Sequence, residues 1–246
     1  MAESRDTGAP GGRKDPFWNS VASFGMDDIF VLPEWISELK GEKTASVTVE
    51  ESGSIPLELA ALMQRVGDCR GCRLSEERNT IVFGGGNPSA GILFIGEGPG
   101  ANEDIQGEPF VGRAGKLLDK ILAAIDLDRD TVFITNIVKC RPPGNRTPSK
   151  DEVAACWWIL EEQIRIMQPG VIVALGAPAS RTMTGSSDGI GKLRGTIHRY
   201  GDIPVLPTYH PAALLRTDAL KRPVWDDMKT LRKLLDELGL PRAGKD

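Results

Sequence analysis

The residues able to do chemistry fall into two sets. The first is Cys69, Cys72, Cys140 and Cys156, the only four cysteines in the chain. Cys69 and Cys72 form a C-x2-C pair flanked by Arg70 and Arg73, and fifteen residues separate Cys140 from Cys156. Four thiolates suit either a tetrahedral zinc or an iron–sulfur cluster, and spacing alone does not choose between them. His198 and His210 are the only histidines, too few for a His-rich catalytic metal site. The second set is Glu97, Asn136 and His210, each found where an apolar run ends. A carboxylate there can stabilise positive charge or orient water, an imidazole can donate to a departing group, and a carboxamide can read a donor–acceptor edge.

These side chains need elements to aim them. Gly91-Ile-Leu-Phe-Ile95 reads as a buried strand. Leu117, Leu118, Ile121, Leu122 and Ile125 recur at helical spacing over 113–125. Between the two, GEGPGANEDIQGEPFVG (96–112) is a glycine-rich, acid-bearing loop at the C-terminal end of a strand, where ligands of α/β proteins bind. It is neither GxGxxG nor a P-loop, so its glycines alone would fit an ordinary strand-to-helix turn. Phe110 has little core to serve in so polar a stretch. Further strands are expected at 131–135, 171–175 and 203–206. Helices are expected at 57–66, 113–125, 149–167, 178–184 and 223–238. Strands alternating with helices imply crossover units and a three-layer α/β/α sandwich around a four-stranded parallel sheet. The strand C-termini then share one edge, and Glu97, Asn136 and His210 can converge there.

Composition bounds the rest. With 246 residues and 40% hydrophobic content, the chain is expected to form one α/β domain at 55–246 behind an acidic extension at 1–54. Residues 1–60 hold 5 Lys/Arg against 11 Asp/Glu, a net of −6, while 139–222 hold 12 against 7, a net of +5. The overall −4 therefore conceals a basic half that permits DNA binding without proving it. Residues 1–16 read as disordered. The apolar side chains between Phe17 and Leu39 suggest a segment that docks on its own domain or on a protein partner. No apolar run approaches the roughly 20 residues that span a bilayer, and the N-terminus lacks the apolar core of a signal peptide. The expectation is an intracellular protein with no membrane partner, where four cysteines argue for a metal or cluster before disulfides.

Taken together, GEGPG followed by ED and PFVG, TN at 135–136, KCRPPGNRTP at 139–148, the cysteine spacing and YHPA at 209–212 resemble the family 4 uracil-DNA glycosylases. The resemblance runs from about Leu57 to Leu238. It implies an α/β/α fold, a [4Fe-4S] cluster on the four cysteines rather than zinc, and excision of uracil from single- or double-stranded DNA by a cytoplasmic, nucleoid-associated monomer.

The chemistry assigns roles within that expectation. A base inside a duplex is out of reach and must be flipped into a pocket. Phe110 offers a face to stack on. Asn136 can pair with uracil O4 and N3–H, whereas cytosine presents the reverse pattern. His210 is expected to donate to O2 of the leaving base. Glu97 is expected to stabilise the sugar cation or orient water. The backbone of Gly98 is implied to line the uracil site, and Glu103 to crowd C5 against thymine. Arg141, Arg146 and Arg216 are expected at phosphates, and Leu214 or Leu215 as the wedge that fills the vacated stack. Trp157 and Trp158 read as packing around the cluster. Each has a plainer alternative: a core Phe110, a turn-capping Asn136, a structural His210, a helix-dipole Glu97, a plain helix at Leu214–Arg216. Two other functions stay open, a protein that captures uracil-DNA covalently and a redox protein that uses the cluster.

Overall fold

The strands at the centre of the sheet are apolar on both faces, as helical cover on two sides demands. The computed structural model describes residues 56–240, so the extension at 1–54 and its apolar stretch at 17–39 lie outside the described residues. Six strands pair in the order β1 (Gly85–Gly86), β3 (Phe133–Asn136), β2 (Ile92–Gly96), β4 (Val171–Leu175), β6 (Ile203–Thr208), β5 (His198–Tyr200). The four central strands run parallel, with Gly96 opposite Asn136 and Leu175 opposite Thr208. Both edge strands are antiparallel. The expected parallel sheet is thus present, with an addition at each edge. Two glycines and a polar His-Arg-Tyr carry no apolar alternation, so these edges left no signal in the sequence.

Alternation sorts the core into two layers. Leu93, Ile95, Ile172, Ala174 and Val205 face α1 (Leu57–Val66), α4 (Lys150–Met167) and α5 (Gly176–Thr184). Ile92, Phe94, Val171, Val173 and Leu206 face α3 (Arg113–Ala123) and α8 (Lys221–Leu238). The three-layer sandwich follows from that period of two. α8 buries Val224, Met228, Leu231 and Leu235, a stripe at helical spacing, and ends on Gly239 in the left-handed region. α4 starts with a capping box between Ser149 and Glu152. Three short helices escaped the sequence reading: α2 (Ala101–Gln106), α6 (Ile190–Leu193) and α7 (Pro211–Leu214). Each has four to six residues, too few for a periodic pattern to register.

A candidate base-recognition pocket and a four-cysteine hollow

The parallel register brings the expected residues together. Gly96, the last residue of β2, stands between Asn136 and Phe110: a Cβ at Gly96 would strike both the Asn136 Oδ1 and the Phe110 ring. Glycine is therefore required by close approach. The Phe110 ring stacks on that of His210, with centroids 5.4 Å apart and planes inclined by 30°. His210 follows β6 and lies against Gly176, just beyond β4. The ends of β3 and β6 and the loop after α2 thus supply one cluster of Phe110, Asn136 and His210.

Phe110 is 5% exposed and belongs to the apolar layer under α3 and α8, so it is both a core aromatic and a wall of this cluster. Its backbone sits at φ +54°, a conformation costly for a residue with a Cβ. Arg129 holds it there, donating Nη1 to the Pro109 carbonyl at 3.0 Å and Nη2 to the Phe110 carbonyl. Gly115 packs so tightly on that carbonyl that no side chain would fit. Strain maintained by a dedicated arginine points to a required ring position.

Asn136 is 1% exposed, and its Oδ1 has no hydrogen-bond partner among the described residues. A buried, unused acceptor costs about 1–3 kcal/mol unless something arrives to satisfy it. It does not cap the turn after its strand, which was the plainer reading of the sequence. His210 Nδ1 accepts from the Ala212 N–H at 3.1 Å, so Nε2 carries the proton of the neutral ring. Burial, and secondarily Arg216, push its pKa down to about 4, against an opposing pull from Glu103. A neutral histidine that donates through Nε2 is the outcome at neutral pH.

Glu97 is half-buried, and its carboxylate makes no hydrogen bond or ion pair among the described residues. Glu103 is engaged: its Oε1 accepts from the Gly112 N–H at 2.8 Å, closing the loop between α2 and α3. Its neighbour Asp104, fully buried, accepts from Asn79 N at 2.9 Å and Asn79 Nδ2 at 2.6 Å and anchors α2. Gly98 backs onto Val138 and Pro142, which a Cβ would meet at 2.9 and 3.6 Å.

The expected DNA contacts separate. Leu214 is 4% exposed and packs in the α3/α8 layer, whereas Leu215 is 42% exposed. The four-residue helix α7 turns one leucine inward and the next outward. Arg216 is exposed. Arg141 bonds Asn145 Oδ1 at 2.8 Å across its own loop. Arg146 donates to Glu152 through bonds of 2.8 and 2.6 Å. Glu152, 2% exposed, also takes Arg73 and the Ser149 N–H, and these partners hold its carboxyl far below the usual range.

Cys69, Cys72, Cys140 and Cys156 line one hollow together with Gly71, Arg78, Lys139 and Ile159, and all four thiols are free. Among the described residues, no three of His, Cys, Asp or Glu gather closely enough to hold a single ion. Around one zinc the sulfurs would stand about 3.8 Å apart. Burial pushes the Cys156 thiol up to about 12 and the Cys140 thiol upward, with Arg78 acting against the latter. Arg78 reaches the Cys69 carbonyl at 2.7 Å and Cys140 Sγ at 3.5 Å. Sequence reasoning missed Arg78 and Arg129, which belong to no motif, and gave no role to Asp104, the second residue of the ED pair. Trp157 and Trp158 do not line the hollow: Trp157 lies edge-on to Tyr200 at 6.1 Å, and Trp158 lies under Arg65 at 4.9 Å.

A cluster of strained aromatic, orphaned carboxamide and neutral histidine at the parallel-strand ends of an α/β/α sandwich fits a nucleobase-recognising class. In agreement, a family model described as the uracil DNA glycosylase superfamily matches residues 83–229. A type-4 uracil-DNA glycosylase of Thermotoga maritima is 46% identical over 180 residues, covering 72% of this chain and 94% of its own. One of Sulfurisphaera tokodaii is 44% identical over 185 residues, covering 72% and 84%. A type-5 enzyme of Pyrobaculum aerophilum is 31% identical over 147 residues, covering 52% and 64%. The chain belongs to the uracil-DNA glycosylase superfamily and, within it, to the type-4 family.

Proposed function

We propose that this chain hydrolyses the N-glycosidic bond of deoxyuridine in DNA, leaving an abasic site for repair. The observation that carries the reading is the buried Asn136 Oδ1 without a partner, beside a strained aromatic and a neutral histidine. The N3–H of a flipped uracil supplies the missing donor, and the amide Nδ2 donates to O4. Cytosine has an unprotonated N3 and offers this acceptor nothing. Phe110 presents the face on which the base stacks. The Nε2–H of His210 donates to O2 as negative charge builds on the leaving base. The unpaired carboxylate of Glu97 faces the positive charge of the sugar and orients the attacking water. The Gly98 backbone lines the base site, and Glu103 clasps the loop around it at the C5 side. Leu215, exposed where Leu214 is not, fills the space left by the flipped base. Arg216 and Arg141 meet phosphates. The protein works as a monomer on chromosomal DNA in the cytoplasm. Among the described residues, no helix is long and apolar enough to cross a membrane.

The four cysteines suit a [4Fe-4S] cluster. All four line one hollow, so four thiolates are available to one centre, as cysteine-held clusters use. Cys69, Cys72, Cys140 and Cys156 would hold it, and when bound it would cross-link the segment after α1, the loop after β3 and helix α4. Protein purified anaerobically is expected to be brown, with broad absorbance near roughly 400 nm. Colourless protein with stoichiometric zinc would remove the cluster.

A covalent capture protein needs a nucleophile at the anomeric carbon. The Lys139–Pro148 loop holds no histidine, its cysteine faces the hollow, and His198 is bonded through Nε2 to the Leu193 carbonyl at 3.0 Å. Incubation with a uracil-containing oligonucleotide is therefore expected to release free uracil in excess over enzyme, with alkali-labile sites and no band shift on a denaturing gel. A stable shifted band, with uracil limited to one equivalent, would replace the glycosylase reading by capture.

The chemical step should be flat in pH from about 8 to about 5 as far as His210 is concerned, because the ring is already neutral there. Its pKa of about 4 lies below the ordinary value, so protonation, and with it loss of the bond from Ala212, comes only in more acid solution. Single-turnover rates against pH test this, and a loss of rate near pH 6.5 that vanishes in His210→Gln would show an ordinary, solvated histidine.

A further inference from the structure

Just beyond β3 lies a buried lysine that the proposed chemistry does not use; burial lowers its pKa to about 7, and three acceptors surround its Nζ. Lys139 is 1% exposed, and its Nζ donates to Thr135 Oγ1 at 2.7 Å, the Asn136 carbonyl at 2.8 Å and Gln163 Oε1 at 2.7 Å. An ammonium has three protons, and all three are engaged. Gln163 lies on α4, and its Nε2 donates to the Phe83 carbonyl at 2.9 Å, which also accepts from Thr135 Oγ1 at 2.9 Å. One side chain thus ties the end of β3 to α4 and to the segment before β1. The backbone N–H of the same lysine donates to Cys156 Sγ at 3.3 Å, and Cys140 follows it in the chain. Stability does not account for the group, since an apolar side chain of similar size fills buried space without the desolvation penalty of a charge.

We propose that Lys139 is a positioning residue for base selection: its ammonium fixes the Asn136 carbonyl against α4 and so holds the Asn136 carboxamide in register with the edge of a flipped uracil. The carbonyl belongs to the peptide plane that sets the direction of the Asn136 Cα–Cβ bond. With that plane fixed, the carboxamide is confined against Gly96 and the Phe110 ring and cannot swing to meet another base edge. Cytosine and uracil differ only in which groups donate, so a reader free to shift would lose its discrimination. The inference rests on the base-reading role proposed for Asn136.

A double-mutant cycle separates positioning from packing. Single-turnover excision is measured for Lys139→Met, Asn136→Ala and the double variant, with DNA affinity, free-uracil binding by calorimetry and iron content read in parallel. Lys139→Met is expected to slow excision and weaken free-uracil binding at least about tenfold, with DNA affinity and iron content within about twofold. In the Asn136→Ala background the same change should cost less than about twofold. Equal slowing in both backgrounds, an unchanged rate, or loss of iron in Lys139→Met would overturn the inference. Wild-type excision by Asn136→Ala would instead sink the base-reading role. Should Lys139→Met fail to fold, Gln163→Leu removes the α4 anchor of the ammonium, and it must show the same dependence on Asn136.

Discussion

Asn136→Ala is expected to slow uracil excision by about two to three orders of magnitude while leaving the fold as stable as before or more stable. The two effects have one cause. In the free protein the Oδ1 of Asn136 is buried and unsatisfied, a standing cost of about 1–3 kcal/mol that alanine removes. In the complex the same oxygen is proposed to accept from N3–H while the amide donates to O4, and a buried site built for such bonds loses heavily when they go. Single-turnover rates on a uracil oligonucleotide and thermal melting check both halves. A destabilised variant with near wild-type excision would make Asn136 a structural residue. Asn136→Asp should also lose uracil excision, and it gains some activity on cytosine because a carboxylate accepts from N4.

His210→Ala is expected to lower the chemical step by about 10²–10³, the usual cost of removing one donor to a developing oxyanion. DNA binding should hardly change, because the ring faces Phe110 within the pocket and Arg216 and Leu215 remain in place. Single-turnover rates against dissociation constants on the same oligonucleotide separate the two. His210→Gln should recover part of the loss, since a carboxamide N–H donates without titrating. Equal losses in rate and affinity would mean that the residue merely supports the loop.

Glu97, Asn136 and His210 were legible in the sequence because each follows an apolar run long enough to be read as a strand. In a parallel sheet the C-terminal ends share one edge, so the grouping of Asn136 and His210 around Phe110 followed from topology, while Glu97 is placed only at the end of its own strand. The cysteines were legible through the C-x2-C pair, and the main helices through their 3.6-residue period. Which of the two leucines is exposed was not: adjacent residues in a one-turn helix differ only in direction, and direction is set by what packs beneath, here the α3/α8 layer under Leu214. Arg146 likewise reads as a free cation until the capping carboxylate of Glu152 is placed beside it.

By itself, then, the sequence determined the sandwich, the edge of the sheet that carries the chemistry and the residue types available there. Only the tertiary structure decided which polar groups are spent on one another and which are left open. Arg129 on Phe110, Asp104 on Asn79, Arg78 on Cys140 and Lys139 on Asn136 are pairings across roughly 3 to 60 positions of chain, and hydrogen bonds at that range leave no periodic trace. Their partners are fixed by register and helix placement. Among the described residues they leave one buried side-chain acceptor unsatisfied, Asn136 Oδ1, which no sequence pattern marks.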